Sequence, residues 1–548
     1  MPALSSLRRG PRRISPFVLA AALLAVPLSA CGSDDSGSTG GAAATSSNAP
    51  GQSGGTLAIA VGTDVGCVDP QQVRSSDTLY SLRQTVDSLT DQNPTTGQIV
   101  PWLARSWEVS ADATTFTFHL RNGVTFSDGT PVDARVVKDN FDGITTKLGG
   151  LASLGVNYLT GYAGTTVVDN LTAQVKFSRP NAAFLQATST PSLGLIAEAS
   201  LAKPPAQRCS GGIVGSGPFT LSSYRPNQSI TLAKRQGYDW GSSLWTKRGE
   251  AYLDKLLFQI VPENGARTGA LQSEQVNLIA NVIRSDESGL KAAGKTLRTV
   301  TLSGTNALWV NHAAPLLKDV KVRQAIMFGI DRKAVTGLFP SGTTPATSIL
   351  SPKTPGYADQ SSFVAYDPAK AKSLLDADGW RVGGDGIRTK DGVPLEITIG
   401  NPGAISSVDT ELELIQQQLK DVGIRIKIKE IPVADINNIQ QSGSYDILIA
   451  NAQRPDPDIL RTQFSTKLNN TYRLSPSALD TLLEQQAATT DQVKRKELAA
   501  EAQRLLLENA DVIPIVNYVV EFAFSPKVRG LEFNPSGHPE LHGTWISR

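Results

Sequence analysis

The sequence predicts an α/β protein with more than one lobe. Between Leu395 and Ala450, short apolar runs and amphipathic stretches alternate as β-α-β-α-β, the pattern of a parallel sheet covered by helices. Beyond Gly55 the chain runs on for about 490 residues, too many for one small core, so two or three lobes are expected.

The N-terminus comes first. Arg8, Arg9, Arg12 and Arg13 form a basic start, and Phe17 to Leu28 is an apolar run of roughly a dozen residues, shorter than the ~20 a spanning helix needs. Leu28-Ser29-Ala30-Cys31 then places small residues before a thiol that can accept a diacylglyceryl group. Residues 1–30 are expected to be a lipoprotein signal peptide, cleaved before a lipidated Cys31. The arginine pairs do not decide the export route. From Gly32 to Gly54 the chain is Ser, Gly, Ala, Thr and Asp with little apolar surface, so 31–54 is expected to be a flexible linker.

Strand-like runs follow at Thr56–Val61, Thr115–Leu120, Thr172–Phe177, Ser229–Lys234, Leu256–Val261 and Leu297–Leu302. Ser127 to Pro131 is a turn leading into an amphipathic stretch, Val132–Phe141. Later come a strand Leu395–Ile399, a helix Asp409–Val422, a strand Ile424–Ile431 with alternating Ile and Lys, a short helix Val433–Gln441 and a strand Tyr445–Ala450. Ser477–Gln486 and Gln492–Glu508 are helical, and Ile513–Phe524 is a strand. Ligands of such sheets sit beyond the carboxyl ends of the strands, where Asn401–Ser407 and Asn451–Asp458 lie.

Composition excludes several classes. The chain has 52 basic and 50 acidic residues, a formal charge of +2; without the four leader arginines the balance is 48 to 50, or −2. That near-neutral balance argues against a nucleic-acid partner. Gly289 to Thr296 matches a phosphate-loop pattern, but its flanks read helix-then-strand, the reverse of what cradles phosphate. The four histidines form no metal pair, and no nucleophile elbow is present, so no catalytic residue, metal site or cofactor is expected. With Cys31 assigned to lipid, Cys67 and Cys209 are most simply a disulfide in an oxidising exterior; two buried thiols are the alternative.

Several segments in order resemble one family. Pro101-Trp-Leu-Ala-Arg-Ser-Trp-Glu-Val-Ser110 and Thr115 through Pro131, Gly215-Ser-Gly-Pro-Phe219, Leu308-Trp-Val-Asn311, Asp319 through Ala325, Gly329-Ile-Asp-Arg-Lys333, Tyr366 through Lys372 and Pro455-Asp-Pro-Asp458 are similar to the oligopeptide/dipeptide-type solute-binding lipoproteins of ABC importers (family 5, cluster C). The resemblance implies a two-lobed periplasmic-binding-protein-like fold of type II with an inserted third subdomain. The first lobe would comprise 55–90, 205–306 and 513–548, the insert 91–204, and the second lobe 307–512. It implies a monomer, lipid-anchored outside the cell membrane, that closes over a peptide or peptide-like ligand and delivers it to an ABC transporter permease without chemistry.

In peptide-binding members an Asp shortly before the Asp-Pro turn pairs with the peptide's α-amino group. Aligned on Asp456-Pro457, that position is Gln453, a neutral amide that cannot neutralise an ammonium; alternatively Asp456 or Asp458 does so. The resemblance also brings forward Arg454 and Asn451 beside Gln453, Arg74 and Ser75 on a loop bordering the pocket, Trp309 as a ring for stacking or as hinge packing, and Asn281 and Asn517. Arg74 and Arg454 would suit an anionic group if both point inward. Rival readings are the same fold binding an oligosaccharide or other uncharged solute, a binder retained for signalling or envelope assembly, and an exported hydrolase.

Overall fold

The computed structural model describes residues 51–402, 408–432, 435–451 and 453–548. The expected signal peptide and lipid site at Cys31 lie outside the described residues. Gly51–Gly54, counted above with the linker, already touch the folded body: the Gly54 N–H donates to Tyr252 O at 2.8 Å, and Gln52 Oε1 accepts from Arg548 N at 3.2 Å.

Among the described residues ten strands form one sheet. Its order is Arg425–Glu430, Glu396–Asn401, Ile447–Asn451, Thr296–Val310, Val512–Phe524, Leu278–Ile279, Thr56–Val61, Lys255–Ile260, Ser229–Lys234 and Phe219–Arg225. The β-α-β-α-β order is as read, with the second helix described as Ile436–Ser442; residues 433 and 434, where it was expected to start, and 403–407 of the expected ligand loop lie outside the described residues. Glu396–Asn401 pairs in parallel with both Arg425–Glu430 and Ile447–Asn451. The intervening helix Val408–Asp421 buries Leu412, Ile415 and Leu419, which follow one another at helical spacing.

Two long strands carry the chain between two cores. Thr296–Val310 and Val512–Phe524 pair antiparallel along their length, with register shifts between Thr301 and Thr305 and between Asn306 and Ala307. The sequence reading stopped this first strand at Leu302, just before Ser303-Gly304. The chain instead absorbs the two residues as an irregularity and continues, which re-aims the strand without ending it. Leu302, Val520 and Phe522 pack with Leu57, Ile59 and Phe258 in one core, and Leu308, Val310, Ile513 and Ile515 pack with Ile397, Ile399 and Ile447 in the other. The fold is two-lobed, with the joint at this irregularity.

A separate four-stranded antiparallel sheet, ordered Ala104–Val109, Thr115–Leu120, Thr172–Phe177 and Tyr162–Asp169, has its own core around Trp102, Phe116, Phe118, Phe141 and Phe184. That core also takes in Tyr238 and Trp240 from well beyond the segment that forms the sheet. Gly215 and Gly217 return the chain across the backbone of Thr85: Gly217 N donates to Thr85 O at 3.0 Å, and a Cβ on Gly217 would lie 2.5 Å from the Thr85 carbonyl carbon. Close backbone approach, rather than catalysis, is what this Gly-Ser-Gly requires.

Cys67 and Cys209 are bonded to each other, 142 residues apart, and so bracket the four-stranded subdomain. The phosphate-loop look-alike has the expected reversed order: helix Glu287–Ala292, Gly294 with φ +69°, then the strand from Thr296. No helix among the described residues is long and apolar enough to cross a membrane.

Candidate functional site

A cavity of about 610 Å³ opens beyond the carboxyl end of the strand Ile447–Asn451. Four stretches far apart in sequence wall it. One is the loop from Arg74 into the helix Ser76–Leu82. A second, from the inserted subdomain, runs through Asn157, Tyr158 and Thr160 and again through Thr190 and Ser192. A third, in the second lobe, contributes Gln440, Asn451, Gln453, Arg454 and the span from Ile459 to Tyr472. Ser536 and His538 close the wall from the C-terminal segment. The volume falls within the roughly 300–1,000 Å³ usual for small-molecule sites.

The chain after Asn451 explains the cavity floor. Pro455 and Pro457 forbid continuation of the strand ladder. Asp456 Oδ1 accepts the Asp458 N–H at 2.8 Å, which turns the backbone into the helix Ile459–Phe464. Neither carboxylate of this turn lines the cavity. Asp456 takes both Nη groups of Arg495 at 2.8 and 2.6 Å, a bidentate pair 5% exposed on the acid. Asp458, 2% exposed, accepts from Arg454 Nη1 at 3.1 Å, from Arg461 Nε at 2.7 Å and from Gln486 Nε2 at 2.8 Å. Burial alone would raise the Asp458 pKa, but the adjoining guanidinium groups of Arg461 and Arg454 hold it below the usual carboxylate range.

Arg454 lines the cavity, yet its charge is spent. Beyond Asp458, its Nε donates to Gln186 Oε1 at 2.9 Å and its Nη2 to Ala183 O at 3.3 Å, and its guanidinium lies 4.9 Å from the Tyr158 ring. It ties the second lobe to the inserted subdomain. The condition set for an anionic group, that Arg74 and Arg454 both point inward, is met in position, since both line the cavity, but Arg454 already has a carboxylate partner in Asp458. Gln453 does line the cavity; its Nε2 donates to Asn451 Oδ1 at 3.2 Å. Arg74 lines it too, exposed and with no hydrogen bond or ion pair among the described residues.

Four other expected residues lie elsewhere. Trp309 is 2% exposed and stacks on Phe464 at 5.4 Å and on Tyr472 at 5.1 Å, its Nε1 donating to Ala450 O at 2.8 Å. Of the two roles weighed for it, packing is the one seen, although it backs Tyr472, which does face the cavity. Ser75 meets Thr63 through its hydroxyl at 3.2 Å. Asn281, with φ +59°, donates to Asp77 Oδ1 at 2.9 Å. Asn517 donates to Thr344 Oγ1 at 2.8 Å at the joint between the lobes.

The sequence reading missed His538, Tyr158, Tyr472 and the carboxamides Asn157, Gln440, Gln463 and Asn469. His538 is 7% exposed and its Nδ1 has no partner; burial and the nearby Arg83 lower its pKa to about 4, so it is a neutral ring at pH 7. Among the described residues no group of three or more His, Cys, Asp or Glu side chains is placed to hold a metal ion.

Comparison with known proteins follows the same lines. The family description "Bacterial extracellular solute-binding proteins, family 5 Middle" matches residues 98–472. The chain is 25% identical over 496 residues to heme-binding protein A of Haemophilus influenzae, covering 85% of this chain and 87% of that one. It is 28% identical over 455 residues to a glutathione-binding protein of Salmonella paratyphi A, covering 79% and 83%. Its fold matches the Helicobacter pylori binding protein DppA, solved in complex with the peptide STSA, with a TM-score of 0.74, 22% identity and coverage of 91% and 99%.

Proposed function

Because the chain belongs to the family 5 bacterial extracellular solute-binding proteins, the ligand-capturing components of ABC importers, we propose that it closes over a peptide or peptide-like solute in the cavity between Arg74, Tyr158, Gln453 and His538. The observation that carries this reading is the construction of that cavity. Both lobes and the inserted subdomain supply its walls, so a ligand touching all three favours the closed form over the open one. Relatives named for heme and glutathione, and a neighbour of like fold holding a peptide, support a peptide-sized cargo. The wall offers carboxamides and hydroxyls to peptide groups and the rings of Tyr158 and Tyr472 to side chains.

The rest of the reading follows from the chain's layout. The leader 1–30 is removed, Cys31 carries the lipid, and the linker holds the binder beside its permease on the outer face of the membrane. The first lobe comprises 55–90, 205–306 and 513–548, the insert 91–204 and the second lobe 307–512. Cys67 and Cys209 stay oxidised there. The ligand-facing residues are Arg74, Asn451 and Gln453, with Arg454 in the same wall but paired to Asp458, and Trp309, Ser75, Asn281 and Asn517 acting behind them. The protein is a monomer, and it passes its cargo on unchanged rather than acting as an enzyme.

A thermal-shift screen of the purified protein against peptides and neutral oligosaccharides tests this. A ligand that binds only the folded state raises Tm with concentration by mass action. A saturable rise with peptides is expected. A rise with neutral oligosaccharides alone would transfer the site to sugars.

A further inference from the structure

We propose, building on the reading of this cavity as the solute site, that the solute is an acidic peptide with a blocked N-terminus: its carboxylate meets Arg74, and an acylated amide end, not an ammonium, sits at Gln453.

The argument is a charge count over the wall. Three side chains able to carry a positive charge line the cavity: Arg74, Arg454 and His538; the phenols of Tyr158 and Tyr472, whose pKa burial raises, stay neutral. Arg454 belongs to a closed set in which Arg454, Arg461 and Arg495 are matched by Asp456, Asp458 and, 4.0 Å from Arg461, Glu484. That set is neutral as a whole, and each arginine in it has a carboxylate partner. His538 is a neutral ring. Arg74 alone brings a charge without a counter-charge among the described residues, and no Asp or Glu lines the cavity among them. The internal residues left undescribed, 403–407, 433, 434 and 452, include no acidic residue.

An ammonium enclosed in this wall would lose its water and find a guanidinium instead of a carboxylate, the costly arrangement for a buried charge. An anion gains in the same place: exposed in this structure, Arg74 loses solvent only when a ligand covers it, and an acid supplies the missing counter-charge. Gln453, hydrogen-bonded to Asn451 through its amide N–H, keeps a carbonyl oxygen that can accept from an amide N–H of the solute but cannot neutralise a cation.

The test uses the purified protein and one mixed-sequence tetrapeptide library prepared in four forms: free or acetylated at the amino end, each with a free or amidated carboxyl end. Capture is quantified by native mass spectrometry. The acetylated, free-acid library is expected to be captured about tenfold or more over both the free-amine and the amidated forms, the worth of one charge-assisted hydrogen bond. Arg74→Gln should erase the preference for acid over amide, and Gln453→Asp should admit the free amine. Arg74 has no partner to lose, so its variant should melt with the wild type. Equal or better capture of free-amine peptides by the wild type, or an acid preference that survives Arg74→Gln, overturns the proposal. Capture of no peptide form, with acidic oligosaccharides retained through Arg74, overturns the peptide reading but upholds the charge assignment. Capture of neutral oligosaccharides alone overturns both.

Discussion

Asp456→Asn separates a structural carboxylate from a ligand-binding one. Asp456 holds Arg495 through two hydrogen bonds, 2.8 and 2.6 Å, with both side chains under a tenth exposed, and also accepts the Asp458 N–H. Asparagine keeps the shape and can still accept one bond, but it deprives the buried Arg495 of its directly paired carboxylate, leaving only the more distant Asp458. Breaking a buried pair from one side costs about 3–5 kcal/mol. A cooperative unit of about 500 residues has an unfolding entropy near 1 kcal/mol per kelvin, so Tm should fall by about 3–5 °C. Differential scanning calorimetry at pH 7 measures that, and a titration with free-amine and acetylated peptides checks binding alongside it. The expected result is a clear loss of Tm with the ligand preference unchanged. An unchanged Tm with a selective loss of affinity for free-amine peptides would refute the reasoning, because Asp456 would then be meeting the ligand rather than Arg495.

Three further perturbations bear on other parts of the account. Replacing Cys67 and Cys209 together with serine opens a 142-residue loop; chain-entropy reasoning puts the upper bound near ~5 kcal/mol, so urea denaturation should show a loss of a few kcal/mol, and free thiol on both cysteines of the protein purified under non-reducing conditions would contradict the bridge. Glu411 is fully buried, and burial raises its pKa to about 8 despite the Asn306 Nδ2 donor at 2.6 Å. Its folded pKa lies above the unfolded one, so its contribution is complete below the usual glutamate range and is lost as pH rises through about 8; the Tm advantage of Glu411→Gln should therefore grow between pH 5 and pH 9, and a pH-independent difference would contradict this. Trp309→Phe keeps an aromatic stack with Phe464 and Tyr472 but removes the Nε1 donor to Ala450 O, so it should cost about 1–2 kcal/mol in chemical denaturation and leave the order of ligand preferences unchanged.

Much of the fold was legible because apolar periodicity is local. The helix Gln492–Glu508 and the strands Thr56–Val61, Thr115–Leu120 and Thr172–Phe177 have the bounds expected from sequence. The strand that runs to Val310 was expected only as far as Leu302, whereas pairing with Val512–Phe524 on one side carries the chain on past Ser303-Gly304. Arg74, Asn451, Gln453 and Arg454 do line the cavity, since loops at the carboxyl ends of strands and beside them are where such sites form. Trp309 was ambiguous for a physical reason: its strand is buried on both faces, so alternation does not say which face meets a ligand. The pairing of Arg454 with Asp458 needed the geometry of the turn. His538 could not be foreseen because the C-terminal segment comes back to the cavity only through the tertiary fold.

Hydrogen–deuterium exchange of the purified protein, with and without its best-captured peptide, tests the central claim most directly. If the cavity is the solute site and the lobes close on it, protection should rise together in four separate stretches, around Arg74–Leu79, Asn157–Thr160 with Thr190–Ser192, Gln453–Tyr472 and Ser536–His538. Protection confined to one lobe, or centred on another surface while these four stay unchanged, would contradict it.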